Sequence, residues 1–163
     1  MSSSDRELPP PIEPPDGNWT PDNPISENEV LYRRCDAKDF APTGRLEIAR
    51  IGFHGWSLNR SKYSIPRQVL IPDREGCVGA IRASDVPARI VPDPPATPYD
   101  FKVVHTPQEE DVNYAHSEFV ALKDGNPVPR PDPSKDVKKR FRSQVSDALR
   151  RLRDEELDTT PAI

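Results

Sequence analysis

Short apolar clusters, set apart by polar and proline-rich stretches, recur along the chain, and their spacing predicts a sheet followed by one helix. Val30-Leu31-Tyr32-Arg33-Arg34 follows the polar Ser26 to Glu29 and has the β-branched and aromatic character of a first strand. Leu46 to Phe53 alternates poorly and reads as a strand or an irregular crossing. Val69-Leu70-Ile71 and Cys77 to Ile81, joined across Asp73-Arg74-Glu75-Gly76, predict a hairpin. Tyr99 to Val103 alternates as a half-buried strand does, and its continuation puts His105 on the face of Tyr99, Phe101 and Val103. Tyr114 to Leu122 reads as a strand stopped by the Lys123-Asp124-Gly125-Asn126-Pro127 turn, with a helix as the alternative.

Val137, Phe141, Val145, Ala148, Leu149 and Leu152 recur every three or four positions, which predicts an amphipathic helix over about 134–153. Asp132 is the expected N-cap, with Pro133 in the first turn, where its missing amide hydrogen costs nothing. The expected fold is α+β: a small, irregular, mostly antiparallel sheet covered on one face by this C-terminal helix. Prolines at 9, 10, 11, 14, 15, 21 and 24 remove backbone donors, so residues 1–27 are expected as a disordered leader. Residues 28–153 then form a single domain and 154–163 a frayed tail.

Hydrophobic residues make up 34% of the 163 positions and charged residues 31%, which leaves apolar material for one modest core. The net charge of -4 argues against a protein that coats nucleic acid over its whole surface. No apolar run is long enough for a signal sequence or a membrane span, so a soluble, cytoplasmic protein without membrane contact is expected. Cys35 and Cys77, far apart and outside any Cys-x-x-Cys pair, are expected as reduced structural thiols. No Gly-x-Gly-x-x-Gly or Walker A loop is present, and no cofactor is expected. The three histidines are separated by 51 and 11 positions, which matches no compact metal-ligand pattern, so no metal is expected either.

Two segments carry the candidate chemistry. His54 lies between two glycines in Gly52-Phe53-His54-Gly55-Trp56-Ser57, ahead of Arg60, Ser61, Lys62, Tyr63 and Ser64, donors of the kind that hold phosphate or carboxylate. His116 and Glu118 share one side of a strand by period two, where a carboxylate can orient an imidazole. For an enzyme, the catalytic candidates are His54, His116 and Glu118, with Arg33, Arg34 and Ser57 secondary. Ser57 and Ser117 lie outside any Gly-x-Ser-x-Gly elbow.

At 100° per residue, Lys135, Lys139, Arg142, Arg150 and Arg153 fall together opposite the apolar face of the helix, with Ser146 completing the row. This basic row is a candidate partner-binding face. The first functional expectation is an accessory protein that binds a protein partner. The alternatives are an enzyme of nucleotide or phosphate-ester chemistry with a His/Glu/Arg pocket, and nucleic-acid binding through the basic helix.

The order Arg33-Arg34, Ser57, Glu118 resembles the Arg, Ser, Glu order of ADP-ribosyltransferase-like domains. That resemblance implies a nicotinamide-dinucleotide pocket shaped by the Arg and Ser positions. The chain departs from the better-known members in lacking their Ser-Thr-Ser strand and, at Glu118, their paired Glu-x-Glu.

Overall fold

The computed structural model describes residues 7–128 and 134–161. Eight strands form one sheet: β1 Val30–Cys35, β2 Ser57–Arg60, β3 Cys77–Arg82, β4 Arg89–Ile90, β5 Tyr99–His105, β6 His116–Lys123, β7 Asn126–Pro127 and β8 Arg150–Arg151. The order across it is β4-β5-β6-β2-β1-β3-β8, with β7 hairpinned onto β6, and every strand pair is antiparallel. The sole α-helix among the described residues is α1, Lys135–Ala148. The protein is thus a mixed fold, and its sheet is larger than the small one expected. The difference lies in β2, β4, β7 and β8, strands of two to four residues with too few apolar positions to signal themselves.

Period two splits the side chains of the sheet between two apolar clusters. Leu31, Leu58, Ile81, Phe101 and Phe119 join Val137, Phe141, Val145 and Leu149 in the larger one. Phe141 lies at its centre, with ring centroids 4.4 Å from Phe101 and 5.5 Å from Phe119. Val30, Tyr32, Val78 and Ala80 point the other way and pack with Val69, Leu152 and Leu157.

Two local expectations, the strand at Val69 to Ile71 and the end of the helix, are corrected, and the open choice at Leu46 to Phe53 falls to the irregular alternative. Val69 to Ile71 forms no strand: Pro66–Val69 is a 3₁₀ turn begun by proline, with Gln68 Oε1 accepting from the Ile65 amide, so β3 pairs with β1 and β8. Leu46 to Phe53 contains a 3₁₀ turn at Ile48–Arg50 and only an isolated bridge from Leu46 to Phe40. The helix stops at Ala148 and not near 153. Leu149 is extended and fills the space above Gly79, where a Cβ would lie 2.6 Å from Leu149 Cδ2. The chain then pairs with β3 and wraps the sheet edge, so Leu149 and Leu152, which imitate helical spacing, end in different clusters. Asp132 and Pro133 lie outside the described residues; Ser134 caps α1 by accepting from the Val137 amide.

The leader, expected to be disordered, packs against the domain over its described part. Ile12 is buried with Tyr114 and Ala115, donates its amide to Val112 and accepts from the Tyr114 amide. Further along, the Asp22 amide donates to His105 Nδ1, and the Asn23 side chain both donates to and accepts from the His105 backbone. Proline rules out a ladder here but leaves side chains and scattered amides free to dock. No helix among the described residues is long and apolar enough to cross a membrane.

Candidate functional site

The centre of the sheet, β6-β2-β1, carries an unusual number of polar side chains. Leu31 pairs with Arg60 and Tyr32 with Asn59, where the β1–β2 pairing ends; Arg34 lies two residues beyond it on β1. Ser57 in turn pairs with Glu118, and Asn59 with His116. Ser57 and Glu118 therefore lie directly across from each other, and Tyr32, Asn59 and His116 form the next transverse row over three neighbouring strands.

His116 and Ser57 meet diagonally across the ladder. Thr106 presents its carbonyl oxygen at 2.8 Å and its Oγ1 at 2.9 Å to His116 Nδ1, and since a carbonyl only accepts, the ring proton resides on Nδ1. Nε2 is then a bare acceptor for the Ser57 hydroxyl, 3.1 Å away. Burial pushes the His116 pKa below its ordinary value, while the Thr106 carbonyl and the negative charges of Glu118 and Asp111 act in the opposite direction. The imidazole is neutral at pH 7, the form a general base requires.

The other side of Ser57 is also fixed. Arg33 donates from Nη1 to the Ser57 carbonyl at 2.8 Å, and its guanidinium lies 4.5 Å from the centre of the Trp56 ring. Arg33 is half-buried and Arg34 exposed. Arg34 takes part in none of the ion pairs that hold other arginines among the described residues.

A cleft of about 560 Å³ opens over Arg34, Ser57, Asn59, Asn113 and His116. Asn113 donates to Asn59 Oδ1 at 2.9 Å, joining the two amides across its floor. Glu7 to Pro10 of the leader and Arg74 contribute to its walls. A larger groove of about 650 Å³ beside β5 offers Glu27 and Lys102 but neither histidine nor any residue of the row.

The predicted residues therefore separate. Ser57, His116 and Arg34 come together in the cleft, with Glu118 next to Ser57 in the ladder but not hydrogen-bonded to His116. His54 does not join them: its Nδ1 accepts from the Ala121 amide, while Gly55, at φ 75°, donates to the Phe119 carbonyl. His105 is fully engaged, donating from Nε2 to the Tyr114 carbonyl and accepting at Nδ1 from Asp22. Asn59 and Asn113 belong to the site yet carried no sequence signal beyond their neighbours.

The basic row does not form on one helix face. Lys135, Lys139 and Arg142 lie on α1, whereas Arg150 sits on β8 in a two-pronged pair with Glu156, and Arg153 follows it, paired to the same carboxylate. Ser146, expected in the exposed row, is buried and donates to the Leu46 carbonyl. Cys35 and Cys77 are free, buried thiols opposite one another in the β1–β3 ladder, and burial pushes Cys35 up to about 12. Among the described residues, no three His, Cys, Asp or Glu side chains converge as a metal site. No protein-family model, curated protein or solved structure matches this chain.

Proposed function

We propose that the cleft binds a phosphate-bearing small molecule of nucleotide type and that Ser57 and His116 carry out ester or group-transfer chemistry on it. The observation behind this reading is the hydrogen-bond chain from Ser57 Oγ through His116 to Thr106, opening into a cleft beside Arg34, which joins no ion pair among the described residues. In this role the Ser57 oxygen forms a bond to the electrophilic centre while its proton passes to His116 Nε2. Glu118 and Asp111 favour the imidazolium so formed, and that proton then goes to the departing oxygen. Arg34 supplies the planar fork that matches a phosphate. The cleft volume falls within the range that encloses small ligands.

A fluorophosphonate reagent, which phosphonylates an activated serine with loss of fluoride, tests this. The wild-type protein is expected to be labelled at Ser57, with His116→Ala slowing labelling by about 10²-fold or more. A wild type that resists the reagent, or equal labelling of the two proteins, overturns the reading.

The Ser57–Glu118 pair, with Arg34 lining the same cleft as Ser57, favours a second reading, in which the ligand is the nicotinamide dinucleotide that the resemblance implies. Release of nicotinamide from NAD by the wild type, lost in Glu118→Gln, supports it. Absence of both release and NAD binding removes it.

A further inference from the structure

We propose that Glu7 is an internal stand-in for the ligand's phosphate: its carboxylate occupies an anion position made by Arg74 beside Arg34, and a bound phosphate displaces it. This inference rests on the reading of the cleft as a phosphate-binding site. Glu7 Oε2 lies 3.4 Å from Arg74 Nη1, and both residues line the cleft together with Arg34. The two arginines also line an adjoining pocket of about 310 Å³, so they stand at the junction of two cavities. An acid of the chain's own leader is thus held where an anionic ligand would be drawn.

The leader is built to yield there. Ile12 is anchored by two backbone hydrogen bonds, but Pro9, Pro10 and Pro11 just before it have no amide hydrogen to donate. The Glu7 and Arg74 side chains are 65% and 60% exposed, and a surface ion pair of this kind contributes little. A phosphate that accepts two or three charge-assisted hydrogen bonds from the arginines competes well against one exposed carboxylate. The ligand class follows: the group entering this end of the cleft is an anion of phosphate type, and its entry lifts the Glu7–Pro10 strap from Arg74.

Titration of the full chain with ADP, using adenosine as the phosphate-free control, tests the proposal. Glu7→Gln is expected to tighten ADP binding about two- to fivefold, the span that loss of a surface-pair competitor allows, and to leave adenosine binding unchanged. Glu13→Gln, an equal charge change on the same leader outside the cleft lining, is expected to have no effect. In an Arg74→Gln background, Glu7→Gln is expected to add nothing. If ADP binds wild type and Glu7→Gln equally, or Glu13→Gln gives the same gain, the stand-in role is overturned while the cleft reading survives. If ADP binds none of these proteins, both fall.

Discussion

Arg60 offers a sharp test of what holds the centre of the sheet together. Its side chain is 2% exposed, its Nε and Nη2 donate to the two oxygens of Glu29 at 2.8 and 2.7 Å, and Nη1 donates to the Asp22 carbonyl at 2.6 Å. Glu29, at 7% exposure, has almost no access to water if this partner is lost. Arg60→Met keeps the stem but strands the carboxylate, and breaking a buried pair in this way costs about 3–5 kcal/mol. For a domain of ordinary marginal stability that is about a fifth of the total or more. The double variant Arg60→Met/Glu29→Leu removes both charges and is expected to return to within about 2 kcal/mol of wild type. The remaining loss is mainly the hydrogen bond to the Asp22 carbonyl, about 1 kcal/mol, with the longer contacts of Arg60 to the Asp22 carboxylate and of the Lys62 amide to Glu29 making up the rest. Urea titration at pH 7, followed by tryptophan fluorescence and circular dichroism, measures both differences. A single-variant loss below about 1 kcal/mol, or a double variant no better than the single, refutes the argument that a buried charge pair organises β2.

Phe141→Ala, which empties the space between Phe101 and Phe119, is expected to cost about 3–5 kcal/mol in the same titration. Truncation through Asn23 removes buried Ile12 and the Asp22 contacts to Arg60, Lys62 and Tyr63, and is expected to lower the melting temperature by about 5 °C or more. The acid limb of Ser57 labelling against pH is expected to lie below the ordinary imidazole value of about 6.5, because His116 must be neutral and its burial lowers its pKa. Glu118 opposes that lowering, so Glu118→Gln is expected to move the limb to still lower pH; a shift to higher pH contradicts the assigned charge effect.

Elements with one dry face and one wetter face were legible. Tyr99 to Val103 alternates because Tyr99 and Phe101 enter the core while Asp100 and Lys102 do not, and the strand runs on to His105 as its periodicity suggests. The start of α1 and its Val137–Phe141–Val145 stripe were legible for the same reason. Its end was not, because Leu149 and Leu152 keep helical spacing while serving opposite sides of a sheet edge. β2 left almost no trace. Ser57-Leu58-Asn59-Arg60 has one apolar residue, yet it lies between β6 and β1, where strand patterns are normally most hydrophobic.

The site was half legible for a related reason. Period two correctly put His116 and Glu118 on one side of a strand, but the partner of His116 depends on register with a strand that had no visible pattern. Ser57, not Glu118, is that partner. The polarity that hid β2 also divides its work between its two sides. Arg60, facing with Leu58, is matched by Glu29 and the Asp22 carbonyl; Ser57 and Asn59, on the cleft side, are matched by His116 and Asn113. The two sides therefore respond differently to substitution. Ser57→Ala removes one neutral hydrogen bond at the cleft and is expected to cost only about 1 kcal/mol of stability while abolishing labelling. Arg60→Met, one residue beyond the cleft floor and on the opposite side, costs several times more in folding and leaves the Ser57–His116 contact in place wherever the protein stays folded. A strand whose polar groups were merely tolerated would show no such division. Equal stability losses at the two positions would indicate that the Ser57–His116 pair belongs to the scaffold.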